Sequence, residues 1–194
     1  MPSPQTPDVA TLPIPEKEGY TYADYAELPE SAPYELIAGS LVIASSLTSH
    51  HQRVLRRLAW AIQRHHDQLA SPSGESLFAP MDVFLAEDTT VQPDLVYIAP
   101  AQREIVGEQR IEGAPDLIAE ILSLSTVHRD VGVKKRLYEQ HSVREYWTLD
   151  PASQAVEVHV NTDAGFTQHV RVVEAGAVAS TGINGFEVDV ADLL

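Results

Sequence analysis

Residues 116–122 read Asp-Leu-Ile-Ala-Glu-Ile-Leu, a run of strand length that is apolar on both of its alternating faces except at Glu120. Such a strand leaves water only when both faces are covered, so it belongs at the centre of a sheet with a layer on each side. The remaining chain offers those layers. Residues 49–69 carry Val54, Leu55, Leu58, Ala61, Ile62 and Leu69 at helical spacing, with Thr48 or Ser49 placed to cap the first turn. A short helix over 20–28 carries Tyr22, Tyr25 and Leu28, and Ser125 and Thr126 can cap another over about 127–141. Strands are expected at 77–85, 93–98, 144–149, 155–160 and 166–173, and a hairpin joins 34–37 to 41–44 around Gly39. SPSGES, at 71–76, reads as a loop. This order predicts an α/β (α+β) domain with a central mixed sheet flanked by helices.

The 194 residues fit one domain, and a hydrophobic fraction of 44% is enough for a core. Residues 1–18 are proline-rich and carry almost nothing able to form a core, so the reading is a disordered tail followed by a single domain over 19–194. No apolar run approaches membrane-spanning length and the start has no secretory pattern, which predicts a cytoplasmic protein. The absence of cysteine removes thiolate zinc sites and a cysteine nucleophile.

The formal net charge is −15, yet eight of the thirteen basic residues fall in two stretches, Arg53, Arg56, Arg57, Arg64 and Arg129, Lys134, Lys135, Arg136. A polyanion is repelled by most of such a surface and admitted where those stretches meet; two ordinary solvated helix faces are the plainer reading. Phosphate-loop, dinucleotide, nucleophile-elbow and HExxH patterns are all missing.

What remains is acidic. Glu120 sits mid-strand, Asp94 follows Pro93 at the opening of another strand, and Asp82 stands between Met81 and Val83 in a third. If those strands are neighbours, three carboxylates can converge on a divalent ion, and oxygen-only ligands favour Mg²⁺ or Mn²⁺ over zinc. Read singly, Asp82 is a solvent-facing strand residue, Asp94 a turn residue and Glu120 half of a buried ion pair. On a helix over 127–141, Lys134, Tyr138 and Ser142 share one face while Lys135 and Arg136 point away, so Lys134 can reach back across the strand that carries Glu120. Trp60 and Trp147 are expected in the core.

Taken in order, Tyr34-Glu35-Leu36-Ile37-Ala38-Gly39, His51-Gln52, Pro93-Asp94-Leu95, Glu120-Ile121-Leu122-Ser123, Ser125-Thr126 with Asp130, Lys134 and Tyr138, and Glu145-Tyr146-Trp147 with Asp150-Pro151 resemble the Uma2 family, also called DUF820. That family is assigned to the PD-(D/E)xK restriction-endonuclease-like nucleases. The resemblance runs from about Tyr20 to Leu194 and implies a nuclease core in which Asp94 and Glu120 bind metal and Lys134 is the lysine of the motif. The usual lysine position, two residues after the second acid, is Leu122 here, so the lysine has moved to the following helix. Leu124 stands where the family has proline, and His141-Ser142 where it has a small residue and glycine. The resemblance also touches Glu35, which would serve a second metal or a water, or else bond the backbone, and His51, which would contact phosphate or simply begin its helix.

The leading expectation is therefore a Mg²⁺-dependent (or Mn²⁺-dependent) endonuclease acting on DNA. Asp94 and Glu120 would bind metal, with Asp82 as an additional ligand, and Lys134 and Glu35 would complete the catalytic set. His51, Arg53, Arg56 and Arg57 would hold the nucleic acid. The competing expectation is a nuclease-like fold that binds nucleic acid or a protein partner without cleaving. A homodimer is expected from fold-level analogy alone.

Overall fold

The computed structural model describes residues 17–29, 32–44, 48–69, 74–123 and 129–194, the side chains of Arg129 and Asp130 excepted. The expected tail over 1–18 lies outside the described residues except at Lys17 and Glu18, as do the caps Ser125 and Thr126, and Leu124.

Helix α1 (Tyr22–Ala26) begins where the Asp24 carboxylate accepts the Thr21 N–H at 2.8 Å. The hairpin follows as β1 (Tyr34–Ile37) and β2 (Ser40–Ile43), turned by Ala38 and Gly39. Both have positive φ, 47° and 75°, the twist that a two-residue hairpin turn requires. Helix α2 (Ser49–His66) is capped by Thr48, whose hydroxyl accepts the His51 N–H at 3.2 Å. Its buried stripe, Val54, Leu55, Leu58, Ala61 and Ile62, follows the spacing read from the sequence, but the helix ends at His66 and Leu69, beyond it, is exposed. Among the described residues no helix is long and apolar enough to cross a membrane.

The strand expected at 77–85 is two strands, β3 (Glu75–Phe78) and β4 (Asp82–Ala86), which belong to different sheets. Pro80, between them, has no N–H to give to a ladder, and the chain changes sheets there. Glu75 and Ser76, read as loop, are the first residues of β3. Then come β5 (Thr89–Val91), β6 (Leu95–Ile98), β7 (Arg110–Glu112) and β8 (Leu117–Ile121). Residues Arg129–Lys134 form a π-helix that leads into α3 (Lys135–Gln140). The chain closes with β9 (Glu145–Asp150), β10 (Ala155–Thr162), β11 (Gly165–Val173), the pair β12 (Ala177–Ala179) and β13 (Glu187–Asp189), and α4 (Val190–Leu193).

The larger sheet has the order β11-β10-β9-β8-β6-β3 and is antiparallel except between β8 and β9. The run at 116–122 is thus an interior strand, as its apolar faces demand. The second sheet, β2-β1-β5-β4-β7, is also mixed. Alternation along the strands sorts the core into two layers. Leu95, Tyr97, Leu117, Ala119, Ile121, Trp147 and Leu149 meet α2 and α4 on one face. Val96, Ile98, Ile118 and Tyr146 meet α3 and the second sheet on the other, against Ile37, Val83, Val91, Ile111, Leu137 and Tyr138. Glu120, one residue from Ala119 and Ile121, therefore points into the space between the two sheets. Leu95 pairs with Ala119 and Tyr97 with Leu117, so continuing the antiparallel register by one step sets Asp94 opposite Glu120.

A buried acid–lysine cluster as candidate active site

Three charged side chains meet at this strand end, Glu35, Glu120 and Lys134, with Asp94 at the neighbouring strand opening, and all four are buried. Each comes from a different element. Glu35 is on β1, whose four residues are all buried, and its Oε1 accepts the backbone N–H of Gln92 at 2.9 Å. Asp94 precedes β6, and its Oδ2 accepts the Ile121 N–H at 2.7 Å, which ties the strand opening to β8. Glu120 Oε1 accepts from the Tyr138 hydroxyl at 2.6 Å and from Lys134 Nζ at 2.9 Å. Lys134, only 3% exposed, also stands 2.9 Å from Glu35 Oε1, so one ammonium bridges two carboxylates from different sheets.

Charges this far from water persist only when paired and hydrogen-bonded, and here each acid has a donor of fixed geometry. The helical-face expectation for Lys134 and Tyr138 is met, since both side chains reach Glu120. Ser142 lies beyond α3 at a positive φ of 64°. Burial, and then the negative charges of Glu120 and Glu35, hold the Tyr138 phenol well above its ordinary value, so it stays a donor at neutral pH.

Asp82 is placed elsewhere. Its Oδ1 accepts from the Tyr25 hydroxyl at 2.9 Å and from Gln92 Nε2 at 2.8 Å. Burial, followed by the Asp82 charge, raises the Tyr25 phenol, which keeps that proton donor in place. Among the described residues no three His, Cys, Asp or Glu side chains gather closely enough to hold a metal ion, so the expected convergence of three carboxylates is not formed. Asp82 is linked to the cluster through Gln92, whose backbone N–H serves Glu35 while its side chain serves Asp82. Gln92 carried no signal in the sequence, because its main-chain N–H does the work at Glu35.

His51 turns inward. Its Nε2 lies 2.9 Å from Asp94 Oδ2, and its Nδ1 is buried with no hydrogen-bond partner. A histidine so placed orients Asp94 and does not face a phosphate in solvent. Arg53 and Arg56 are exposed on α2, as a backbone-tracking role needs. Arg57 departs from that expectation, because its Nη1 donates to the carbonyl oxygens of Leu193 at 3.2 Å and Leu194 at 2.6 Å. Trp147 is buried as expected, but Trp60 is 64% exposed, because position 60 falls on the outer face of α2.

Two other buried acids belong to the scaffold. Glu145 accepts from Trp147 Nε1 and from the backbone of Thr181 and Gly182, and Asp116 from the Ala99 N–H and from Arg144. Both are answered without a lysine.

The model of the Uma2 family, described as "Putative restriction endonuclease", matches residues 22–191. Among solved structures, the chain is similar to a putative nuclease belonging to DUF820 from Anabaena variabilis ATCC 29413, with a TM-score of 0.73 at 18% identity over 89% of this chain and 96% of that one. At this identity the likeness is one of fold. No curated protein matches the chain.

Proposed function

The chain belongs to the Uma2 family, and on that premise we propose that it is a Mg²⁺- or Mn²⁺-dependent endonuclease that hydrolyses DNA phosphodiester bonds at the Glu35–Asp94–Glu120–Lys134 cluster. The observation that carries this reading is the placement of Lys134 between Glu35 and Glu120, with Asp94 on the adjoining strand opening.

The donor chemistry fits a hard divalent ion. Asp94 and Glu120 offer carboxylate oxygen, and the chain has no thiolate to draw a softer metal. Asp94 and Glu120 would hold the ion, which when bound supplies Lewis acidity and a more acidic coordinated water. The protein side chains account for the rest. His51 and the Ile121 N–H fix the Asp94 carboxylate, and the protonated Tyr138 fixes Glu120. Lys134 is the cation available to stabilise charge that develops on a phosphate oxygen, and its two carboxylate contacts set its direction before substrate arrives. Glu35, oriented by the Gln92 N–H, is the group to orient an attacking water and take its proton.

Plasmid nicking in Mg²⁺, Mn²⁺ and EDTA tests this reading, with the wild-type chain and Glu120→Gln side by side. Nicking is expected with either ion, and it should vanish in EDTA and in the variant. Failure to cleave under every metal condition would leave a nuclease-like binding module instead.

A further inference from the structure

The outer face of α2 and the edge strand β3 enclose a groove of about 750 Å³ lined by Arg56, Trp60, Gln63, His66, Phe78 and Arg103, with Glu75 at its rim. Two of its aromatics face water: Trp60 is 64% exposed and Phe78 42%. Large rings are usually the first side chains to be covered, so two left open along one groove mark a surface built for contact. Helical spacing puts Arg53, Arg56, Trp60 and Gln63 on one stripe of α2. On β3, Phe78 pairs with Leu95, and its ring therefore shares the face that looks toward α2.

The Phe78 end of the groove lies beside Asp94, while Glu35, Glu120 and Lys134 lie on the other face of the sheet. The residue after Phe78, Ala79, gives its N–H to the Asp94 carbonyl at 3.2 Å. At the same end, the first turn of α2 places His51 on Asp94. Trp60 lies nine residues further along α2, ~13 Å at helical rise. A chain entering beside Asp94 would thus meet Phe78 first and Trp60 further along the groove, with Arg56 on the same helical stripe.

We propose that this groove binds single-stranded nucleic acid by stacking bases on Phe78 and Trp60, so that the preferred substrate carries an unpaired stretch beside the scissile bond. The substrate assignment rests on the nuclease reading above, whereas the binding assignment does not. Flat π faces flanked by Arg56 and Arg103 suit bases and phosphates together. A duplex keeps its base faces stacked inward and offers this groove no ring to stack on, and a chain of net charge −15 attracts phosphate weakly. Stacking, not charge, is the affinity this groove can supply.

The test uses the full chain in EDTA, with fluorescence anisotropy of labelled oligo(dT) and of a duplex of equal length. Wild type should bind oligo(dT) the more tightly. Trp60→Ala and Phe78→Ala should each weaken oligo(dT) binding by about 10-fold, the scale of one lost base–aromatic stack, while duplex binding changes little and Trp60→Phe recovers most of the loss. Both rings are exposed, and circular dichroism checks that each variant folds. Unchanged oligo(dT) affinity in both alanine variants would overturn the proposal, as would equal losses on duplex or a wild type that binds no oligonucleotide. Aromatic-dependent binding without cleavage of any substrate would uphold the groove and sink the nuclease reading. Cleavage indifferent to both aromatics would do the reverse.

Discussion

Lys134 Nζ lies 2.9 Å from Glu120 Oε1 across a separation of 14 residues, and the strand and the helix that carry them share no backbone ladder. The contact is set by tertiary packing, and neither partner has water to fall back on.

Replacing Lys134 by Met leaves Glu35 and Glu120 facing one another without their shared cation. Removing one partner from a buried ion pair costs about 3–5 kcal/mol, so urea denaturation should show a marked loss of stability. Cleavage should fall by ~100-fold or more, the scale of one lost charge-stabilising group, while Mn²⁺ affinity is kept or raised. Lys135→Met should stay near wild type in cleavage. Equal losses at both lysines would reduce their role to general attraction.

Asp94→Asn and Glu120→Gln should each weaken Mn²⁺ binding in calorimetry with the fold retained by circular dichroism. Unchanged affinity in both would remove the metal site.

Tyr138→Phe deletes a single hydroxyl and leaves Glu120 one donor short. The expected cost is about 1–3 kcal/mol, the penalty for an unmet buried partner, read from the denaturation midpoint. An unchanged midpoint would mean that Glu120 is satisfied without the Tyr138 hydroxyl.

Acid should weaken the fold through His66 and His159. Burial, then the charge of His65, lowers the His66 imidazole from its ordinary value, and burial followed by the charge of Lys135 lowers His159. Each ring keeps one nitrogen buried without a hydrogen-bond partner, His66 Nε2 and His159 Nδ1. As pH falls below ~6.5 the unfolded histidines take protons before the folded ones do, so stability is full above that value and declines beneath it. His159 packs beside the mutually contacting rings of Tyr146 and Phe166, and His159→Phe should flatten the decline. A stability profile of the same slope in that variant would assign the acid sensitivity to other groups.

The arginines of α2 should separate. Arg56→Gln and Arg53→Gln should lower DNA affinity and flatten its salt dependence. Arg57→Gln should leave the salt slope alone and lower the melting temperature instead, because that side chain holds the carbonyls of Leu193 and Leu194. A salt slope that responds to Arg57 would return it to the nucleic-acid face.

The apolar pattern of 116–122 and the spacing of Val54, Leu55, Leu58 and Ile62 carried the interior strand, the long helix and the two-sided sheet, since periodicity reports which faces are buried. It could not divide 77–85 between two sheets, because β3 and β4 differ in partners and not in pattern. Lys134 and Tyr138 were legible as one helical face, and both reach Glu120. Asp82 was misplaced, since a carboxylate in a strand says nothing about which donors it will find, and Tyr25 and Gln92 claimed it. Trp60 was misread because a large ring suggests a core, although position 60 falls off the stripe that Leu58 and Ile62 define. His51 and Arg57 are polar groups whose partners, Asp94 and the last two carbonyls, lie far away in the chain.

Between Arg129 and Lys134 the backbone winds as a π-helix and then tightens into α3. A π turn holds more residues than an α turn and is commonly one residue in excess. Taking one residue out would let the turn relax and swing Lys134 by ~100° about the axis, away from both carboxylates. Val131 and Val133 in the same turn are 45% and 41% exposed, so substitution there disturbs less of the core than a change in the turn's length does. The turn is thus held more tightly to its length than to the identity of those two residues.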